Sequence, residues 1–449
     1  MEKKKVYLSQ VSIEYGNNSA YLPYAVGLLA ANAWSDERIR ETCELADFLF
    51  LRNNTDDVVR KLDNPFFVGF STYVWNAEYN KNLAKKIKEK YPSCLILFGG
   101  HHVPPEGKFL EEYDFIDFLI HEEGEDAFKE LLLCLAQVKS AEDIEKIDFS
   151  AVPNLSYRKD GEIVNNPIVP ISGEDYPSPY LEGYFDKIIA EHPDLKFSAI
   201  LETSRGCPNR CAYCDWGCLS KKIKKFPMEK IRKEIEWFGE NKIDYLWGAD
   251  SNFGIFDRDK TIADWIIDVN RRTGYPDRFR TNYAKEQYEN VFEISRSLTE
   301  NGLIKIGVTL SFQSLSPTVL KNIGRHNMEL DYFNELLKMY NRANMITYSE
   351  LILGLPGETY ESFCEGIGKL LEAGQHTLIH VFNCELLPNS VMGRPDYMKK
   401  YGIEVAVTPI IIGHCNAGDI NMTEYSNIIV QTNTMSREMW IRSNIFARM

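Results

Sequence analysis

The sequence predicts an α/β protein in which an N-terminal doubly wound (Rossmann- or flavodoxin-like) domain precedes a partial (βα)6 barrel of the TIM type. The 449-residue chain is too long for one ordinary core, and two separate series of apolar strands alternate with helices along it. Such alternation is typical of parallel sheets covered by helices. The expected division is a doubly wound domain at 1–140, a linker at 141–195, a barrel at 196–390 and a C-terminal segment of unassigned role at 391–449.

Composition excludes several function classes. With 44% hydrophobic and 26% charged residues, the chain has the composition of a globular protein. No apolar run approaches the ~20 residues of a membrane-spanning helix, so no membrane association is expected. A formal net charge of −14 repels phosphate backbones and argues against nucleic-acid binding. No signal peptide is evident, so we expect a cytoplasmic protein, whose clustered cysteines would bind metal rather than form disulfides.

The first series predicts strands at 5–11, 47–52, 66–72, 94–100 and 115–121. Ligands of doubly wound sheets bind at the carboxyl ends of the strands. Glycines there let the backbone approach a ligand, and aromatic rings offer flat apolar faces. The candidates are Ser71, Tyr73, Trp75 and Asn76 after the third strand, Gly99 and Gly100 after the fourth, and Glu122, Gly124 and Glu125 after the fifth. The pattern alone fits ordinary strand-to-helix turns equally well.

The linker contains a hairpin signal at Asp160-Gly161. The second series then predicts six strand–helix units. Their strands lie at 197–204, 245–250, 279–284, 305–312, 347–354 and 378–384. In such a barrel, function is expected at the carboxyl ends of the strands.

Cys207, Cys211 and Cys214 form a C-x3-C-x2-C pattern directly after the first of these strands. Three thiolates on one loop can bind a cubic iron–sulfur cluster and leave its fourth iron open for a substrate. Cys218 could supply a fourth thiolate, which would close the cluster and restrict it to electron transfer. A four-cysteine zinc site is the third alternative, although its cysteine pairs are usually C-x2-C with longer spacers.

The segment from Cys207 to Cys214, with an aromatic residue before the last cysteine, resembles the signature of the radical S-adenosylmethionine (SAM) superfamily. The resemblance implies that the three cysteines bind a [4Fe–4S] cluster whose open iron chelates SAM. One electron from the cluster would cleave SAM to a 5′-deoxyadenosyl radical, and the barrel would position it and exclude water. Cys218 is not expected to be a cluster ligand.

The resemblance also implies SAM contacts at other strand ends. Residues 248–254 follow the second strand, where this superfamily contacts the SAM amino group, but the usual Gly-Gly-Glu is absent. Residues 354–357 resemble the glycine-rich motif near adenine, and Glu358 could cap the following helix. Glu350 is a charge within an apolar strand. The expected SAM-binding residues are Tyr213, Asp250, Asn252, Ser311, Gln313, Glu350, Gly354 and Leu355.

A doubly wound domain upstream of such a barrel is similar to the layout of the cobalamin-dependent branch of this superfamily. Cobalamin is therefore the third implied cofactor, and the strand-end residues between Ser71 and Glu125 are its expected contacts. No Asp-x-His-x-x-Gly motif is present to supply a lower cobalt ligand, and neither His101 nor His102 is expected to bind cobalt. The resemblance covers residues 1–400, and its cysteine signature is the specific part.

These features together predict a cobalamin-dependent radical SAM methyltransferase that acts on carbon through a 5′-deoxyadenosyl radical and methylcobalamin. The alternatives are a rearrangement or cyclisation with the same cofactors, a methylthiotransferase, and a non-enzymatic iron–sulfur redox module. A methylthiotransferase would carry an upstream three-cysteine cluster and a basic tail, which the sequence lacks. The expected partners are a small-molecule or peptide substrate and a flavodoxin- or ferredoxin-type reductant. No further catalytic side chain is identified.

Overall fold

The structure, a computed structural model, describes residues 2–12, 18–138, 144, 146–170, 175–216, 223–410 and 422–449. The chain forms two compact units. Unit 1 comprises Met1–Ala199 and Pro409–Tyr425, and unit 2 comprises Ile200–Thr408 and Ser426–Met449. The sequence analysis treated residues 391–449 as one C-terminal segment. The structure divides this segment between the two units.

Unit 1 contains most of the first predicted series. Its strands are β1 (Lys4–Ser9), β2 (Ser19–Tyr21), β3 (Cys43–Leu49), β4 (Pro65–Ser71), β5 (Leu95–Gly99), β6 (Phe118–Ile120), β7 (Leu155–Lys159) and β8 (Glu162–Asn165). Its helices are α1 (Tyr24–Ala33), α2 (Glu37–Thr42), α3 (Thr55–Lys61), α4 (Ala77–Lys90), α5 (Lys108–Glu112), α6 (Glu125–Ala136) and α7 (Asp186–Glu191).

The main sheet of unit 1 has the order β3-β1-β4-β5-β6-β7-β8. The first five strands are parallel, and their order reverses between β1 and β4, as in flavodoxin-like sheets. The ligand crevice of such a sheet lies at this reversal. The β7–β8 hairpin turns at Asp160 and Gly161, which have positive φ angles of 51° and 80°. The predicted hairpin is confirmed, and it extends the sheet antiparallel to β6 rather than serving only as a connector.

The core of unit 1 follows from the period of its strands. Val68 and Phe70 on β4 and Ile96 and Phe98 on β5 alternate along their strands and belong to one buried cluster. Leu83 on α4 is fully buried in the same cluster. Each such side chain contributes roughly 1.5–3 kcal/mol on burial, so this layer holds the carboxyl ends of β4 and β5 in place.

The strand β9 (Lys196–Leu201) leads into unit 2, and its first residues pair with β2 in unit 1. The further strands are β10 (Ser204–Arg205), β11 (Lys224–Lys225), β12 (Tyr245–Phe253), β13 (Arg278–Tyr283), β14 (Val308–Gln313), β15 (Thr347–Leu353), β16 (Ile379–Asn383), β17 (Glu404–Pro409) and β18 (Tyr425–Gln431). The helices are α8 (Met228–Glu240), α9 (Arg258–Thr273), α10 (Tyr288–Glu300), α11 (Pro317–Ile323), α12 (Leu330–Arg342), α13 (Tyr360–Glu372), α14 (Pro395–Tyr401) and α15 (Arg437–Phe446).

Strand β9 and five strands of unit 2 form two arcs, β9-β12-β13 and β14-β15-β16. The pairs β12–β13, β14–β15 and β15–β16 are parallel, with helices between successive strands. Arg280 on β13 donates to the hydroxyl of Tyr348 on β15 over 3.3 Å, a contact that links the two arcs. The predicted fold class, a doubly wound unit and a partial barrel, is confirmed. Among the described residues, no helix is long and apolar enough to cross a bilayer.

Candidate cofactor sites

The cysteine loop follows β9 and turns the three thiols of the motif toward one region of unit 2. Gly206 has a φ of 103°, a left-handed conformation that glycine adopts without steric cost. The Cys214 amide donates to the Cys211 carbonyl over 2.9 Å, which closes a tight turn between these two cysteines. Cys207 and Cys211 are buried, whereas Cys214 is half-buried. Cys218 lies outside the described residues.

Lys285, two residues beyond β13, supplies a positive charge to these thiols. Its Nζ lies 3.9 Å from Cys211 Sγ, and its charge interacts with all three cysteines. Burial, followed by the charge of Arg325, lowers the pKa of Lys285. Burial also raises the pKa of the Cys214 thiol. A cation among three thiols favours their thiolate forms, which are the forms that bind iron.

The cysteine arrangement fits an iron–sulfur cluster. The Cys214 thiol interacts electrostatically with the thiols of Cys211 and Cys207. Three thiols on one loop suit a cubane, in which each cysteine binds a different iron.

The end of β12 is tied to the cysteine loop by three consecutive residues. Asp250 Oδ1 accepts from the amides of Thr203 and Ser204 at 2.8 and 2.9 Å, and its Oδ2 accepts from the Thr203 hydroxyl. Ser251 Oγ donates to the Gly206 carbonyl over 2.7 Å. These bonds anchor the start of the loop, before the first cysteine. They also use the carboxylate of Asp250, whose predicted SAM contact stays a prediction.

Asn252 completes this set and contacts a cysteine directly. Its Nδ2 donates to Cys207 Sγ over 3.3 Å and to Ser251 Oγ over 2.8 Å. Asn252 is 4% exposed and Cys207 is 8% exposed. The structure therefore brings Asn252 to the cysteines, and its contact with the SAM amino group remains a prediction.

A second network joins the cysteine loop to β14 and β15. Arg325 Nη1 donates to the Tyr213 hydroxyl over 3.1 Å, and its Nη2 donates to the Ser311 carbonyl over 2.6 Å. The Ser311 hydroxyl in turn donates to Glu350 Oε2 over 2.6 Å. Burial raises the pKa of Tyr213, which keeps this phenol protonated. Three predicted SAM-binding residues are thus linked through an arginine.

The predicted glycine-rich turn follows β15. Gly354 has a φ of 104°, and a Cβ there would lie 3.0 Å from the Ile429 carbonyl oxygen, so a side chain would be strained. Leu355 is fully buried in an apolar cluster that contains Ala212 and against which Tyr213 packs. The turn therefore lies against the cysteine loop. Gln313, at the end of β14, has a positive φ of 66°.

The expected capping role of Glu358 is corrected by the structure. The N-cap of α13 is Thr359, whose hydroxyl accepts from the Ser362 amide over 3.1 Å. Glu358 is 2% exposed and instead accepts hydrogen bonds from the hydroxyls of Ser314 and Ser362. Its carboxylate links Ser314, just after β14, to Ser362 in the first turn of α13.

In unit 1, Asn76 joins the two strands at the reversal of the sheet order. Its Nδ2 donates to the carbonyls of Val11 and Ser71 over 2.8 and 3.0 Å, and its Oδ1 accepts from the Tyr73 amide at 2.7 Å. The side chain is fully buried. Asn76 therefore shapes the loop after β4. The predicted contribution of Asn76 to cobalamin binding would be made through the shape of that loop.

An aromatic stack stands at the same edge of the sheet. The rings of Tyr73 and Trp75 are stacked with centroids 4.6 Å apart and an interplanar angle of 4°. His101 also stacks against Tyr73, with ring centroids 5.7 Å apart. The Trp75 Nε1 is buried and has no hydrogen-bond acceptor among the described residues. A half-buried stack with an unused indole donor fits a flat macrocycle edged with amides, such as cobalamin.

The remaining predicted cobalamin residues lie at the ends of β5 and β6. A Cβ at Gly100 would lie 2.8 Å from the Thr72 carbonyl oxygen, and its φ is 97°. Gly100 therefore permits the close approach of the β4 and β5 ends.

Glu125 begins α6 and is buried, whereas Glu122 is exposed at a φ of 59°. Burial lowers the pKa of His102 to about 4, so this imidazole is neutral. Gly99, Gly124 and Ser71 occupy the strand ends that were predicted.

Two functional candidates were missed as individual residues by the sequence analysis, Lys285 and Arg325. Lys285 directly follows a predicted barrel strand, and this position was the available signal. Arg325 follows the C-cap of α11, where nothing in the local pattern indicates a link to Tyr213. Both contacts join residues more than 70 positions apart in the chain.

Comparison with known proteins locates two domains in the chain. Residues 201–368 match the model of the radical SAM superfamily, and residues 28–132 match the model of the B12 binding domain. The chain is 37% identical over 436 residues to the cobalamin-dependent radical SAM methyltransferase TokK of Streptomyces tokunonensis, covering 96% of this chain and 63% of that protein. It is 36% identical to the 2-(S-pantetheinyl)-carbapenam-3-carboxylate methyltransferase of Streptantibioticus cattleyicolor, covering 95% of this chain and 62% of that protein. The chain thus spans a little under two thirds of the length of these relatives.

A solved structure has the same fold. The radical SAM methyltransferase TsrM of Kitasatospora setae, with cobalamin and a [4Fe–4S] cluster bound, superposes with a TM-score of 0.68 at 15% identity. The superposition covers 100% of this chain and 91% of TsrM. At this identity the likeness concerns the fold.

Proposed function

Because this chain belongs to the cobalamin-dependent branch of the radical SAM superfamily, we propose that it is a methyltransferase that transfers a methyl group to a carbon atom of its substrate. The observation that carries the proposal is the cysteine loop, whose three thiols lie beside Lys285 in a chain that also contains a B12-binding domain. The two matched domains imply a [4Fe–4S] cluster, SAM and cobalamin as cofactors. When bound, they supply a carbon-centred radical and a transferable methyl group.

The side chains of unit 2 have distinct tasks in this proposal. Cys207, Cys211 and Cys214 hold the cluster, and Lys285 offsets the negative charge of the thiolates. Asp250 and Ser251 keep the loop from shifting when the cluster changes charge. A loop fixed before the reaction costs little reorganisation during it.

The network from Tyr213 to Glu350 has a binding task. Arg325 fixes the phenol and the Ser311 carbonyl, and the Ser311 hydroxyl leaves one oxygen of Glu350 for another donor. SAM presents an ammonium group and ribose hydroxyls, and either would donate a hydrogen bond to that oxygen of Glu350. Leu355 makes the adjoining wall of the proposed SAM site apolar, and Gly354 adds no side chain to it.

The substrate and partners are part of the proposal. The relatives' names support a small molecule with a carboxylate, because one of them methylates a carbapenam carboxylate. A flavodoxin- or ferredoxin-type protein would deliver the electron. We place the enzyme in the cytoplasm, where its thiols stay reduced, and none of the eight cysteines within the described ranges forms a disulfide.

The test uses the full chain, reconstituted anaerobically with iron, sulfide and cobalamin. SAM labelled with deuterium in its methyl group and a chemical reductant are added with 2-(S-pantetheinyl)-carbapenam-3-carboxylate as the probe. The expected result is a product that carries the labelled methyl, together with S-adenosylhomocysteine and 5′-deoxyadenosine. A Cys211→Ala variant is the control that should form none of these.

Two outcomes would contradict the proposal. An enzyme that cleaves SAM but never forms S-adenosylhomocysteine with any substrate is not a methyltransferase. A rearranged product without label would favour the cyclisation alternative.

A further inference from the structure

Asn252 has a polar contact that SAM binding does not require. Its side-chain amide lies 3.3 Å from Cys207 Sγ, and both residues are buried. A thiolate bound to iron can only accept a hydrogen bond. The Nδ2 of Asn252 must therefore face the sulfur when the cluster is present, and the carboxamide oxygen faces away.

The position of this amide is fixed by its neighbours. Asp250 and Ser251 anchor the end of β12 to Thr203, Ser204 and Gly206 on the cysteine loop. The Ser251 hydroxyl also accepts from Asn252 Nδ2 at 2.8 Å, which sets the rotation of the amide. The donor is thus held in place before any cluster binds, and its contact with sulfur is not a chance approach.

A hydrogen bond to a cluster sulfur acts on the electron affinity of the cluster. Reduction adds one negative charge, and an N–H dipole aimed at the sulfur stabilises that charge. The effect is strong because the contact is buried, where the local dielectric is low. Lys285 acts in the same direction by charge, whereas Asn252 does so as a neutral, non-titrating group.

We propose that Asn252 raises the reduction potential of the cluster through its hydrogen bond to Cys207. Asn252 is in this sense a positioning residue for electron transfer. The step is the uptake of one electron by the oxidised cluster from a flavodoxin- or ferredoxin-type reductant, and no covalent bond forms or breaks. The inference rests on the proposed function only in that the chain binds this cluster. It gives the end of β12 a redox task in place of the superfamily's usual SAM contact there.

The experiment compares the reconstituted wild type with Asn252→Leu, which has a similar volume and no donor. Iron content is measured first, and the midpoint potential is then measured by a redox titration followed by electron paramagnetic resonance without SAM. At a fixed potential, the ratio of reduced to oxidised cluster should be about tenfold lower in the variant. For a one-electron couple this corresponds to a midpoint potential that is lower by ~59 mV. Asn252→Asp, with a charged acceptor in place of the donor, should shift the potential further in the same direction.

Thr203→Val is the matched control, because it removes a hydroxyl that anchors the same loop to Asp250 but leaves the contacts of Asn252 with Ser251 and Cys207 in place. A shift in this control as large as in Asn252→Leu would overturn the inference. Unchanged potentials with weaker SAM binding in the Asn252 variants would assign the residue to SAM instead.

A wild type that binds no cluster would refute the proposed function, a result distinct from these. If the variants fail to hold iron, pulsed resonance on reduced wild type with 15N-labelled asparagine decides the question. A coupling to side-chain nitrogen supports the bond, and its absence overturns it.

Discussion

At the scale of single residues, hydrogen-bond partners distinguish the polar groups that face the cysteines from those that support the loop. Asp250 and Asn252 are two positions apart on β12 and face the same loop. The carboxylate of Asp250 accepts from Thr203 and Ser204, while the amide of Asn252 contacts a thiol. The same strand end thus provides one structural anchor and one group that contacts a cysteine of the motif.

Asp250 predicts a pH dependence of stability. Burial is the main cause that raises its pKa to about 7. The folded protein therefore holds a proton that the unfolded chain releases above its ordinary pKa of about 4. This contribution to stability is fully present below pH ~4 and is lost as the pH rises toward 7, by at most ~1.4 kcal/mol per pH unit.

The check is the thermal midpoint of wild type and Asp250→Asn between pH 4 and 8. An asparagine oxygen can still accept from both amides, so this variant should fold. The difference between the two proteins should change across the window and be constant above it. Parallel curves would show that Asp250 is already ionised in the folded protein.

At the scale of elements, the site loops of unit 1 depend on close backbone approach and on a cap from a distant segment. Asn76 is the N-cap of α4, but its side chain is used within the β4–α4 loop. Glu424 caps the helix instead, with its carboxylate accepting from the Glu78 and Tyr79 amides at 2.7 and 3.0 Å. Arg52 donates to the same carboxylate over 2.7 Å in a fully buried pair.

Glu424→Ala should destabilise unit 1 strongly. It leaves the Arg52 guanidinium buried without its carboxylate and removes the cap of α4, a loss of about 3–5 kcal/mol. Denaturant unfolding measures the change. Asp57→Ala, which removes an exposed ion pair with Arg60, is the control and should cost under ~1 kcal/mol. Equal losses would mean that the buried ion pair contributes no more to the free energy of unfolding than the exposed one.

Gly100→Ala tests the approach of the β4 and β5 ends. Both the left-handed φ and the predicted overlap with the Thr72 backbone act against a side chain. We expect a loss of at least 1–3 kcal/mol together with weaker cobalamin binding. Gly161→Ala also has a positive φ, but a Cβ there meets no atom within 4 Å. It should therefore lose only part of that stability, and its cobalamin affinity should equal that of wild type.

At the scale of the whole molecule, the two cofactor functions belong to different units. The cysteine loop is in unit 2, and the aromatic stack of Tyr73 and Trp75 is in unit 1. Each site is built from the carboxyl ends of parallel strands, where loops can vary without disturbing the sheet.

This separation predicts independent loss of the cofactors. Cys211→Ala should lose its iron and retain cobalamin after reconstitution, because the thiol lies in unit 2 alone. Trp75→Ala should show the reverse. Cys364→Ala, which changes a half-buried cysteine on α13, is the control and should keep both. Iron analysis and the visible spectrum of bound cobalamin give the readouts. Loss of both cofactors from Cys211→Ala would contradict the assignment to separate sites.

Much of the site was accessible from the sequence because its signals are local. Cys207, Cys211 and Cys214 lie within eight residues, and their spacing needs no knowledge of the fold. The glycine-rich turn at Gly354 was likewise visible, because a left-handed φ favours one residue type. Lys285 and Arg325 were not singled out, since their partners are distant in the chain and a charged residue after a strand or helix is common.

The sequence by itself determined the alternation of strands and helices, the doubly wound and barrel units, and the cysteine loop, because hydrophobic period and short spacings act locally. Only the tertiary structure decided that Glu424, far along the chain, belongs to unit 1 and caps α4. It also decided that Asp250 supports the loop while Asn252 faces a thiol. The physical reason is that burial and hydrogen-bond partners arise when distant segments pack, and one residue type serves either role until that packing is known.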